Sequence, residues 1–289
     1  MIARLPAVVF LAAALTNLAP GQDNRPESRD RDVLRIAQMH GFARQQALRE
    51  LLLGLPNVTA IVIDSLFRYE RQLRPALLAL LDDKSVGQFT AQVLTLIAER
   101  DDIRRIIAHP PPAGADGDDE DWIYAAVSSL IDPNVDQEWA FVRKCALGQY
   151  QDPWAQRGAI QTLKLTASAR SREILQEIKR QTAEDADSLA EALAYLDSAP
   201  PDLAGPDLEA LSARVAQAVK LGYWTWTGNS KPVYNEGNDK ALVACSFVGN
   251  LDRYIYTATF HKIQGNWKLR AVRETEQRTG PPPPPRAAQ

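Results

Sequence analysis

Side chains able to do chemistry are few in this chain and far apart. Three histidines (His40, His109, His261) and two cysteines (Cys145, Cys245) are spread over 289 residues. They form no H-E-x-x-H or Cys/His ligand spacing, so the pattern implies no zinc site. No G-x-S-x-G turn or phosphate-cradling glycine loop points to acyl transfer or nucleotide binding. The acidic run Asp116-Gly117-Asp118-Asp119-Glu120-Asp121 offers oxygen ligands at alternate positions, as a calcium loop does at its start. It then puts Asp121 where the sharp turn needs Gly and Val127 where a bidentate Glu belongs. Acidic residues directly before a helix cap it and complement its dipole, which suits this run better. The expectation is no metal, no cofactor and no enzyme; a hydrolase site at the junction of two parts stays a distant third reading.

The denser feature is aromatic. Nine of the 21 aromatic residues fall between Tyr223 and Trp267. Trp224 and Trp226 stand two apart, which in a strand puts them on one face. In the segment from Arg253, the residues Tyr254, Tyr256, Ala258 and Phe260 alternate with Arg253, Ile255, Thr257, Thr259 and His261. In the last one Trp267, Leu269 and Ala271 alternate with Lys268, Arg270 and Val272. One reading packs the aromatic face against a helix at 207–221 to form a small core. The functional reading has Trp224 and Trp226 line a groove for a peptide, a glycan or a small molecule, with Arg253 and Arg270 supplying polar contacts.

These residues sit at the end of a long helical stretch. From Val33 to about Leu196 apolar residues recur at three and four, as at Ile61, Val62, Ser65, Leu66 and Tyr69. Asn57 after Pro56 is a candidate cap, also an N-V-T sequon, and Pro75 falls near the start of the next helix. Residues 110–118 read as a loop and 198–206 as a Pro/Gly-rich linker. Helix 207–221 then precedes four β segments, 224–227, 241–248, 253–263 and 267–274, joined at Gly249-Asn250 and Gly265-Asn266. Pro281–Pro285 read as a solvated polyproline stretch within a disordered tail at 277–289.

Two helical segments share a pattern 69 residues apart, Asp83-Lys84-Ser85-Val86 and Asp152-Pro153-Trp154-Ala155. With Thr90, Ala91, Leu94 and Ile97 in one copy and Ala159, Ile160, Leu163 and Thr166 in the other, they resemble the second helix of a HEAT-type repeat. Gly87 and Gln156 depart from it, standing where that pattern prefers Arg. The resemblance implies a mainly α fold, a HEAT-like α-solenoid over 33–198, and a binding surface for a protein or extended peptide. The unit at 206–276, a helix plus a four-stranded antiparallel meander, vaguely resembles cystatin-like or nuclear-transport-factor-like domains.

Residues 1–21 read as an export signal: Arg4, then the apolar stretch Ala7–Leu15, then Ala19-Pro20-Gly21 before a mature start at Gln22. Residues 22–32 read as a flexible polar leader. Losing Arg4 moves the net charge from −3 to −4, with no basic patch for nucleic acid, and no later segment has transmembrane length. In an oxidising compartment Cys145 and Cys245 can pair across a loop of about 100 residues; unpaired, each is a small buried hydrophobe. The reading is an exported, periplasmic or extracellular, non-enzymatic scaffold or interaction module, with a ligand-binding module as the alternative.

Overall fold

The computed structural model describes residues 26–54, 60–97, 99–112, 121–181, 186–198, 200–220, 224–249 and 252–279. The export signal, Asn57, the acidic residues 116–120, Tyr223 and the polyproline stretch lie outside the described residues.

Described helices come in succession: α1 (Pro26–Gln38), α2 (Gly41–Leu53), α3 (Ala60–Arg68), α4 (Glu70–Leu80), α5 (Gly87–Ile97), α6 (Arg100–Ala108), α7 (Asp121–Val127), α8 (Asp136–Ala146), α9 (Pro153–Thr166), α10 (Ala169–Gln181) and α11 (Ala186–Asp197). Odd-numbered helices touch odd-numbered neighbours from α1 through α11, while α2 meets α4, α6 meets α8 and α8 meets α10, so the helices lie in two layers. None of the described helices is long and apolar enough to cross a membrane.

Bonds between successive helix pairs recur at one sequence separation. Arg49 pairs with Asp83 at 2.6 Å, Arg104 with Glu138 at 3.0 Å and Arg170 with Asp136 at 3.1 Å, all 34 residues apart. Ser129 Oγ donates to Thr95 O 34 residues back, and Thr162 Oγ1 to Val127 O 35 back. The 69-residue spacing from Asp83 to Asp152 thus spans two steps, and the intervening odd helix opens at Asp121.

Both departures from the repeat pattern have a steric or polar cause. A Cβ on Gly87 would stand 2.4 Å from Leu81 O, so no Arg fits there. Gln156 is buried and its Nε2 donates to Ala146 O at 3.1 Å, satisfying a carbonyl at the end of α8. Asp152 caps α9 through the Trp154 N–H at 2.8 Å, with Pro153 in the first turn.

Two expectations in this region are corrected. Residues 26–32 are the first turns of α1, because Val33, Ile36 and Ala37 bury one face and Asp30 accepts bonds from Ser65 and Arg68. Pro75 lies inside α4, not at its start; the chain breaks instead at Tyr69, and Pro75 faces solvent.

Beyond the array, β1 (Ala204–Gly205) precedes α12 (Leu208–Val219), followed by β2 (Thr225–Asn229), β3 (Val233–Tyr234), β4 (Lys240–Val248), β5 (Asp252–Ile263) and β6 (Asn266–Thr279). All pair antiparallel in the order β1-β6-β5-β4-β2, with β3 also on β4. The sheet has six strands, where the sequence suggested four. The linker supplies β1, whose two residues pair with Trp267 and Lys268. Bulges leave Arg270 and Thr275 of β6 without opposing residues. The first shifts the alternation by one, so Val272, not Ala271, joins Trp267 and Leu269 in the core.

Among the described residues there are two apolar clusters. One fills the helical array; the other packs α12 (Leu211, Val215, Val219) on Phe247, Tyr256, Phe260 and Leu269. They interlock: Leu242 of β4 belongs to the first, Ile131 and Leu165 of the array to the second. Cys145 lies in one cluster and Cys245 in the other, both free, so the pairing considered above is not made. Burial pushes both thiols up, Cys245 to about 12.

Close approach of α7 and α9 depends on Gly158, where a Cβ would meet the Tyr124 ring at 2.8 Å. Alanine in place of an unconstrained helical glycine stabilises. Here Gly158→Ala is expected to cost about 1–3 kcal/mol by overpacking, read as a lower urea midpoint at unchanged slope.

Candidate functional site

The last carbonyls of a helix have no partner within it and carry the negative end of its dipole. Three odd helices turn such ends toward the sheet. Arg68 O, closing α3, accepts the Glu236 N–H at 3.1 Å, and Ser128 O, just past α7, accepts the Val272 N–H at 3.1 Å. At the end of α5, Leu96 O accepts from Thr259 Oγ1 at 2.8 Å and Ile97 O pairs with His261 Nε2 at 2.9 Å. A carbonyl only accepts, so Nε2 carries the hydrogen. The β5 face opposite its aromatic residues is thus occupied by helix ends.

Charges reinforce this contact. Lys240 Nζ, at the start of β4, lies 2.9 Å from Glu70 Oε1 and 2.5 Å from Glu99 Oε1. Glu70 is 2 % exposed and also accepts from Asn235 Nδ2. Burial alone would raise the Glu99 carboxyl, but the Lys240 ammonium outweighs it and the group titrates below its usual range. At the rim Arg71 meets Asp239 at 2.7 Å and Lys268 meets Asp132 at 2.6 Å. Burial, with Lys240 nearby, takes His261 down to about 4 despite its bond to Ile97 O.

On the other face lies the aromatic cluster. Trp224 is 4 % exposed and stacks on Tyr254, ring centres 4.1 Å apart and planes at 18°. It also packs against Phe247 and Tyr256 at 5.8 and 5.9 Å. Trp226 is half-buried at the edge strand β2, its Nε1 donating to Asn229 Oδ1 at 3.1 Å. The sequence grouped Trp224, Trp226, Arg253 and Arg270, and the structure does not bring these together. Trp224 is a core residue. Arg253 sits opposite Val248 and Arg278 near the start of β5, while the bulge residue Arg270 acts electrostatically on Arg100 and His261.

Trp226 instead borders an open groove of about 310 Å³ with Tyr195 of α11, Pro201, and Ala213, Arg214, Gln217 and Ala218 of α12. Its volume is at the low end of ligand sites, about 300–1,000 Å³. Behind its apolar walls Tyr195 OH and Arg214 Nε are buried without a hydrogen-bond partner; Arg214 Nη2 donates to Ala204 O at 3.1 Å. Burial raises the Tyr195 phenol, and Lys164 Nζ stands 5.2 Å over its ring. Sequence reasoning found Trp226 but missed Tyr195 and Arg214, which lie on two other elements and carry no motif. A separate cavity of about 30 Å³ between Tyr124, Gln161, Lys164, Glu191 and Tyr256 has room for about one water. Among the described residues no three His, Cys, Asp or Glu side chains are grouped to hold a metal ion.

No family model matches the chain, and no curated protein or solved structure matches it.

Two outcomes follow from the contact between sheet and helices. Lys240→Met leaves Glu70 buried without its cation and is expected to cost about 3–5 kcal/mol; adding Glu70→Leu should recover most of this, as a double-mutant cycle in urea would show. A histidine whose folded pKa lies below its unfolded value contributes stability above about pH 6.5 that is lost as pH falls toward 4. His261→Gln keeps an N–H donor for Ile97 O and cannot titrate. The parent's stability relative to this variant should therefore fall between pH 7 and pH 4; a constant difference would refute the assignment.

Proposed function

We propose that this chain is a non-catalytic binding module working outside the cytoplasm, whose helical stack is a HEAT-like α-solenoid serving as frame. The groove between α11, α12 and β2 is its binding seat, for a protein segment or extended peptide in the first instance and a glycan or small molecule in the second. The observation that carries this reading is the groove itself, an open and mostly apolar hollow with Tyr195 and Trp226 at its walls. Aromatic anchors in an apolar groove suit binding of extended segments. Export rests on residues 1–21 alone.

A second reading places a protein partner on the array. It rests on the resemblance to HEAT-type arrays, whose concave surfaces take extended partners; Phe42 and Leu53 of α2, 75 % and 48 % exposed, lie at opposite ends of that helix.

Ligand contact in the groove should quench or shift Trp226 emission. With a panel of peptides and oligosaccharides, Trp226→Ala is expected to weaken the responding ligand at least about ten-fold, with thermal unfolding changed little because Trp226 lies at an edge. A ligand held equally well by parent and variant would move the seat elsewhere.

A further inference from the structure

We infer that the groove is one half of a strand-addition site. An uncharged, extended segment of a partner protein pairs with the free edge of β2 and lays its apolar side chains, at alternate positions, in the groove. The inference rests on the groove being the binding seat and says how an occupant is held there.

The groove alone is a poor host for a peptide backbone. Its lining is almost wholly apolar, and amide groups buried there would lose their hydrogen bonds to water without gaining others. Donors and acceptors have to come from beside it, and β2 is beside it, since Trp226 belongs to both. Strand β2 stands last in the sheet order. Among the described residues the backbone of 225–229 bonds to β4 alone. The opposite end of the sheet is closed. There Leu203 O, Ser128 O and Tyr124 OH accept the N–H groups of Leu269, Val272 and Glu274 at 3.2, 3.1 and 2.9 Å. Exposed edges are guarded by Lys, Pro, inward charges or bulges. Strand β2, Thr225-Trp226-Thr227-Gly228-Asn229, has a bulge at Thr227 and none of the others; Lys231 and Pro232 come after its end.

The sheet also stops short of closing round α12. Strands β1, β4 and β2 all touch that helix, although β1 and β2 lie at opposite ends of the sheet. Pro201, just before β1, and Trp226 of β2 both border the groove, which lies over Ala213, Arg214 and Gln217 of α12. A strand added about 4.8 Å beyond β2 continues the sheet toward this gap. Trp226 pairs with Phe247 and shares its α12-facing side. Every second residue of the added strand lies on that side too and meets the groove. The groove therefore selects apolar side chains at alternate positions, and β2 offers no counter-charge to a charged segment.

The test uses the full chain and fluorescein-labelled peptides, Lys-Thr-X-Thr-X-Thr-X-Thr-Lys with X valine, leucine or phenylalanine. Each is compared by anisotropy with an isomer that has its three X residues together. At least one alternating peptide is expected to bind ten-fold or more tightly than its isomer. Hydrogen exchange followed by NMR should then show that amides of 225–229 that exchange fast in the free chain slow at least ten-fold in the complex. Trp226→Ala, or separately Gln217→Trp to fill the groove from an exposed position on α12, should weaken binding at least ten-fold. No preference for alternation in any pair overturns the proposal, as does binding that leaves exchange in β2 unchanged. So does a dimer of the free chain in which those amides are already protected, since the added strand would then be a second copy's. If a ligand weakened by Trp226→Ala leaves β2 exchange untouched, the binding seat stands and only strand addition falls.

Discussion

Helix ends are the constraint on which this structure turns. An array of short helices in two layers finishes a helix at every turn, and each finish leaves carbonyls that must find donors. The chain answers with its own sheet. Thr259, His261 and the backbone N–H groups of Glu236 and Val272 sit against Leu96, Ile97, Arg68 and Ser128. The sheet's cations stand where the helix dipoles are negative and where Glu70 and Glu99 add charge. Lys240 and the Glu70 carboxylate it donates to are 170 residues apart in sequence. Neither part could be trimmed without leaving the other with buried, unsatisfied polar atoms, which are costlier than the bonds themselves are favourable.

That arrangement divides the labour of the sheet's two faces. One is consumed by docking and by the Lys240 cluster. The other is largely consumed by α12, with Trp224 under Tyr254 as its aromatic centre. The margin, where β2 is an edge strand and α11 and α12 line the groove, leaves Trp226 half in solvent beside open volume. The geometry points the binding reading toward this margin and away from the sheet's interior.

Local features were legible from the chain where periodicity alone decides them. The helices from Val33 on, α12, and the cores of β4 to β6 all show in spacing, because one face of each must be apolar. Alternation in β5 gave the aromatic face correctly. In β6 it failed at Arg270, because a bulge costs nothing visible in composition and yet inverts the residues after it, until the second bulge at Thr275 restores the alternation. The 34-residue step stayed hidden behind its double, since the side chains that mark it change type: Arg49 to Asp83 in one step, Ser129 to Thr95 in the next kind. Of the proposed site only Trp226 was readable. Tyr195 and Arg214 come to it through the packing of α11 on α9 and of α12 on the sheet, and no local pattern encodes that. Lys240 lay just outside the segment 241–248 read as a strand, and nothing local marked it as the partner of Glu70 and Glu99.

The chain holds two cysteines and the fold puts one in each apolar cluster. Both thiols are shut away from reagents in the native state and reactive only when their own cluster opens. The molecule therefore carries a built-in pair of clocks. Alkylation of Cys145 times the opening of the helical array, and alkylation of Cys245 times the opening of the sheet on α12. Equal rates would mean that array and sheet come apart in a single event, and unequal rates would rank the two halves by how readily each breathes.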